Sequence, residues 1–137
     1  MKRLLVVLAM TFVCLASFAQ ESDSTVFKGT FINSELKIKC ILNLYEDAIP
    51  VPGLEMDKCY GYLDGNINGM WVILKVQKME DKKAVVRAMS DRGDDAQSFE
   101  LVRTDDGISL RQIDGANMKG IANNKYVKLP KTVLFKQ

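Results

Sequence analysis

Leu36-Lys37-Ile38-Lys39-Cys40-Ile41-Leu42-Asn43-Leu44-Tyr45 decides the fold class of this chain. Leu36, Ile38, Cys40, Leu42 and Leu44 alternate with Lys37, Lys39, Ile41, Asn43 and Tyr45. Side chains of an extended backbone point to opposite faces in turn, so this spacing predicts a strand with one face in a core. A helix would need apolar positions three and four apart, and here they fall every second residue. Upstream, Val26–Ile32 is rich in β-branched and aromatic residues and reads as a strand, with Asn33-Ser34-Glu35 as the turn between the two.

Downstream the same grammar repeats. Glu46–Gly53 holds Pro50, Pro52 and Gly53 and reads as a loop shaped like a flap, because proline removes backbone donors and favours extended chain. Cys59–Leu63 and Ile67–Val76 flank Asp64-Gly65-Asn66, a hairpin signal. Ala84–Met89, Gln97–Arg103 and Ile108–Ile113 follow as strands, separated by polar breaks at Glu80–Lys83, Ser90–Ala96 and Thr104–Gly107. Asp114–Asn117 turns into Met118–Ala122, and Asn123-Asn124 turns into Lys125–Leu129. Thr132–Phe135 adds an edge strand after Pro130. About nine short strands with turn signals every 8–12 residues predict an all-β fold. Hairpin following hairpin favours an antiparallel up-and-down β-barrel of eight to nine strands, with a β-sandwich as the second choice.

Residues 1–19, MKRLLVVLAMTFVCLASFA, read as a secretory signal peptide. Lys2 and Arg3 precede an apolar run from Leu4 to Leu15, and Ala16-Ser17-Phe18-Ala19 places small residues before a cut at Gln20. The run is about 12 residues, short of the roughly 20 that span a bilayer, so the sequence predicts export without stable membrane insertion. The expected product is one β-barrel domain, residues 20–137, delivered to the periplasm or the medium.

The 137-residue chain has 19 basic and 17 acidic residues, and loss of Lys2 and Arg3 leaves 17 of each. Basic residues read as spread singly along the strands, which argues against nucleic acid as a partner. There is no histidine, so the commonest general base and the commonest metal ligand are both missing. No nucleotide motif and no metal-ligand cluster occurs in the sequence. The expectation is a protein that is not an enzyme and carries no cofactor, catalytic residue or metal. Cys40 and Cys59 form an even pair in a chain expected to be exported, and a disulfide between them is expected. Arg92-Gly93-Asp94 and the acidic turn around it read as solvated loop chemistry.

The densest patch is Cys59–Trp71, CYGYLDGNINGMW. Tyr60 and Tyr62 share a strand face, Gly61 opens space opposite, and Trp71 follows on the partner strand. They are the candidate ligand-binding residues, an aromatic platform for a sugar ring or apolar molecule in or at the mouth of a barrel. Packing inside the barrel would use the same residues. With the Lys125–Lys131 tail, KYVKLPK, this stretch resembles small exported, loosely lipocalin-like β-barrel proteins of Gram-negative bacteria. Most of those proteins have no assigned function, and the resemblance implies a stable exported scaffold whose interior or loops can evolve affinity without chemistry. The partner is an unidentified small molecule, or a protein met through loops Glu46–Gly53 and Ser90–Ala96, as for a secreted hydrolase inhibitor or an envelope accessory protein.

Overall fold

A computed structural model describes residues 26–53, 58–91 and 95–137. The expected signal segment and the Arg92-Gly93-Asp94 tripeptide lie outside the described residues. The fold is all-β, with strands β1 (Lys28–Asn33), β2 (Ile38–Asn43), β3 (Gly61–Gly65), β4 (Trp71–Met79), β5 (Lys83–Ser90), β6 (Ala96–Arg103), β7 (Gly107–Gly115), β8 (Gly120–Ala122), β9 (Lys125–Val127) and β10 (Thr132–Lys136). Eight of them close into an antiparallel barrel in the order β1-β10-β7-β6-β5-β4-β3-β2. Apart from the inserted β8–β9 hairpin, each strand neighbours the next along the chain. Thr132–Phe135, expected at an edge, is the stave that closes the barrel, which leaves β8 and β9 as a separate two-stranded arm.

Alternation carries the wall. In β2, Ile38, Cys40 and Leu42 face the interior while Lys39 is exposed. The β5 strand shows the same rhythm, with Ala84, Val86 and Ala88 buried in the core. The interior is filled by large side chains. Trp71, Phe27, Phe31, Phe99, Phe135, Leu63, Leu101 and Leu110 are all essentially inaccessible, and the Trp71 and Phe99 rings meet edge to face at 6.3 Å. Barrels of eight strands have an interior just wide enough for side chains to fill, and this one is filled.

Closure is thinnest between β1 and β10, where Ile32 opposite Lys136 is the backbone partner pair. Side chains supplement it: Asn33 Nδ2 donates to the Leu134 carbonyl at 2.8 Å, and Gln137 Nε2 donates to the Lys28 carbonyl at 3.3 Å. The strand registers gather the β1–β2 turn, the β3–β4 connection, the β5–β6 connection and the β8–β9 insertion at one end of the barrel. The β2–β3 connection leaves from the other end.

That connection begins with the Pro-rich loop and folds back over the outside of the wall. Ile49 and Cys59 bridge through backbone hydrogen bonds of 3.0 and 2.9 Å. Val51 and Cys59 then pack on Tyr62 and Val72, joined by Ile41, Ile49 and Met70, as a small apolar cluster outside the barrel. The expected flap is a layer of the wall at the residues described here.

The expected Cys40–Cys59 bridge is not made, and both cysteines are free thiols. Cys40 belongs to the interior cluster and Cys59 to the cluster on the outer face, so the barrel wall lies between them. Burial pushes the Cys40 thiol up to about 12. Burial also raises Cys59, whose sulfur donates to the Ile49 and Gly61 carbonyls, each at 3.3 Å. A thiol whose pKa rises on folding holds its proton in the native state after the unfolded chain has lost it. The stability it contributes is therefore complete below the unfolded value of 9.0 and is lost as pH climbs towards about 12. Native protein should leave Cys40 unreactive to Ellman's reagent at neutral pH, and unfolding without reductant should expose the thiols of both Cys40 and Cys59. Finding none after unfolding would show a bridge.

Candidate functional site

The three aromatic residues singled out in the sequence do not converge. Trp71 is wholly interior, its indole Nε1 donating to Asn68 Oδ1 at 3.3 Å. Tyr62 lies outside the wall beneath Val51 and Cys59, 6% exposed. Burial there raises its phenol, with the charges of Asp64 and Cys59 adding to the effect. Tyr60 is half-buried and packs against the interior cluster. Gly61 explains the split. Its φ of +155° and a Cβ position only 2.2 Å from the Ile41 carbonyl oxygen mark a close approach that only glycine allows. That distortion sends the flanking tyrosines to different layers although their sequence spacing puts them on one face.

The β8–β9 arm stands open to solvent. Asn123 and Asn124 both take positive φ, 53° and 62°, which is the signature of a two-residue type I′ hairpin turn, and asparagine tolerates it better than most side chains. Every residue from Ile121 to Lys128 is exposed. The roots are buried: Met118 and Leu129 enter the barrel core, and Gly120 leaves room for the Leu129 side chain. Gln112 holds Met118 twice, accepting from its N–H and donating to its carbonyl. Asn68 Oδ1 accepts from the Lys119 N–H at 2.8 Å while its own N–H donates to the Lys119 carbonyl at 3.0 Å. The Ile121 N–H donates to the Asn66 carbonyl at 2.9 Å. Asn68 thus ties the Trp71 indole to the root of the arm.

Between the arm and the barrel end lies a recess of about 890 Å³ lined by Gln112, Asn117–Lys119 and Tyr126–Lys131. Lys119, Lys128 and Lys131 stand around it with the Tyr126 ring, and among the described residues no carboxylate lines it. Reading the chain linearly missed this concentration. The signal was present: after Asp114 the sequence carries Lys119, Lys125, Lys128, Lys131 and Lys136 and no acidic residue. A second groove, about 550 Å³, runs along the outside of β10 past Ile32, Leu36 and Leu134. Among the described residues, no group of three or more Cys, Asp or Glu is placed to hold a metal ion. Comparison of the chain with protein-family models, with curated proteins and with solved structures finds no match in any of the three.

Proposed function

We propose that this is an exported, non-enzymatic binding protein that takes its ligand on the outside of a filled barrel, in the recess under the β8–β9 arm. The observation that carries the reading is the contrast between interior and arm. Trp71, Phe31, Phe99 and Phe135 fill the interior, while the arm exposes Tyr126 and Ile121 on a base held by Met118, Leu129, Gln112 and Asn68. A recess of about 890 Å³ is within the size range of small-molecule sites. The barrel then acts as a rigid pedestal in the manner of the small exported lipocalin-like proteins it resembles, with the ligand moved from the mouth to the rim. The filled core also suits a protein-interaction module, and in that reading the protruding arm is the contact element.

The test is amide chemical-shift mapping on mature protein with a panel of oligosaccharides and fatty acids. Shifts confined to Gln112 and residues 117–131 are expected. Shifts centred on Phe31, Phe99 and Leu101 would place the ligand inside and overturn the reading.

A further inference from the structure

We propose that the recess under the arm binds an acidic carbohydrate, with a sugar ring on Tyr126 and its carboxylate or sulfate groups met by Lys119, Lys128 and Lys131. This rests on the reading that ligand binds outside the barrel. Charge is the first observation. The ion pairs of the described chain join Lys78 to Glu80, and Lys83 and Arg111 to Glu100, all away from the recess lysines. The first 114 residues hold 14 basic and 17 acidic groups, whereas the rest hold five lysines and no acid. A concave surface lined by one sign of charge raises the local concentration of counter-ions of the other sign. An anion seated there would meet three ammonium groups, and no carboxylate among the described lining residues offsets them.

The second observation is the chemistry beside the charges. Tyr126 offers a flat apolar ring with a polar tip, suited to the C–H face of a sugar, and Asn117 adds an exposed amide for hydroxyl groups. Third, the base is rigid: the backbone of Met118, Lys119 and Ile121 is hydrogen-bonded to Gln112, Asn68 and Asn66. Ordering of the backbone therefore need not accompany binding. A single-stranded nucleic acid fits less well, because such strands are held by a basic groove that tracks many phosphates with several aromatic platforms in succession. Among the described residues, this recess presents one ring.

The experiment is calorimetry on mature protein with three hexasaccharides: oligogalacturonate, heparin-derived and neutral maltohexaose. Oligogalacturonate or the heparin fragment should bind, more weakly as salt rises, and the better of the two identifies the anionic group. Combining Lys119→Gln, Lys128→Gln and Lys131→Gln should weaken binding about 30-fold, roughly threefold per exposed ion pair. Tyr126→Ala should weaken it several-fold. Combining Lys39→Gln and Lys75→Gln on the wall with Lys82→Gln in the β4–β5 connection should change it less than twofold. Thermal melts of the variants check that they fold, and shift mapping of the wild type with the bound hexasaccharide gives a readout that needs no variant. Failure of both acidic sugars to bind overturns the proposal, as does equal weakening by the two triple variants. Tighter binding of the oligonucleotide dT15 through the same lysines also overturns it. Maltohexaose bound equally well with shifts on residues 117–131 overturns the acidic ligand but keeps the external site. Shifts in the interior overturn both.

Discussion

Replacing Trp71 by alanine will lower the unfolding free energy by about 3–5 kcal/mol, the usual cost of emptying an aromatic site in a packed core. Trp71 is fully buried, stacks its edge on Phe99 and lies among Leu63, Ile73 and Leu101 in the interior cluster. The substitution also removes the indole N–H donated to Asn68, the residue that holds Lys119. A second effect is therefore expected at a distance: faster amide hydrogen exchange at Lys119 and Ile121, beyond what the global loss of stability produces. Urea unfolding followed by circular dichroism gives the first quantity and native-state exchange the second. A loss under about 1 kcal/mol would show that the indole is not packed as described.

Gly61→Ala is the other large change, expected to cost about 2–3 kcal/mol although it adds a single methyl group. The φ of +155° is one that L-residues rarely adopt, and the added Cβ would stand 2.2 Å from the Ile41 carbonyl oxygen and 3.1 Å from Leu42 Cδ2. The nearest obstacle is backbone, so relief requires β2 and β3 to separate where Gly61 faces Leu42. Leu44, Tyr60 and the flap cluster around Cys59 and Tyr62 sit beside that point and should loosen with it. Thermal unfolding of the variant, with thiol labelling of Cys59 as a local probe, checks both parts. An unchanged midpoint would mean that the wall tolerates a side chain there.

These two residues also show how far the sequence is readable. The alternation from Leu36 to Leu44 was legible because each position faces either a dry core or solvent, and hydrophobicity records that choice directly. The strands of β5 to β7 were legible for the same reason. Around Cys59–Trp71 the rule fails twice. The flap covers the outer face of the wall, so Ile41, Tyr62 and Val72 are apolar on a side where alternation predicts solvent. Gly61 then breaks the parity that placed Tyr60 and Tyr62 together. The disulfide expectation failed with it, since an even cysteine count says nothing about which side of a wall each sulfur occupies. The hairpin marked by Asp64-Gly65 is present, since β3 and β4 pair antiparallel, but its connection is longer than Asp64-Gly65-Asn66. Gly65 still pairs with Ile38, and the chain runs on through Ile67, which bridges to Gly120 at the base of the arm, before β4 begins. The lysines of the recess were invisible as a group, because their meeting depends on a hairpin turning back over a barrel end.

Large buried side chains fill the barrel interior, and the proposed ligand site lies outside it. Trp71, the single tryptophan, reports on that directly. Native protein should show blue-shifted emission that acrylamide barely quenches and that palmitate, added to saturation, leaves unchanged, while unfolding in urea restores full quenching. Efficient quenching in the native state, or a change in emission on adding palmitate, would show an open interior and contradict the account.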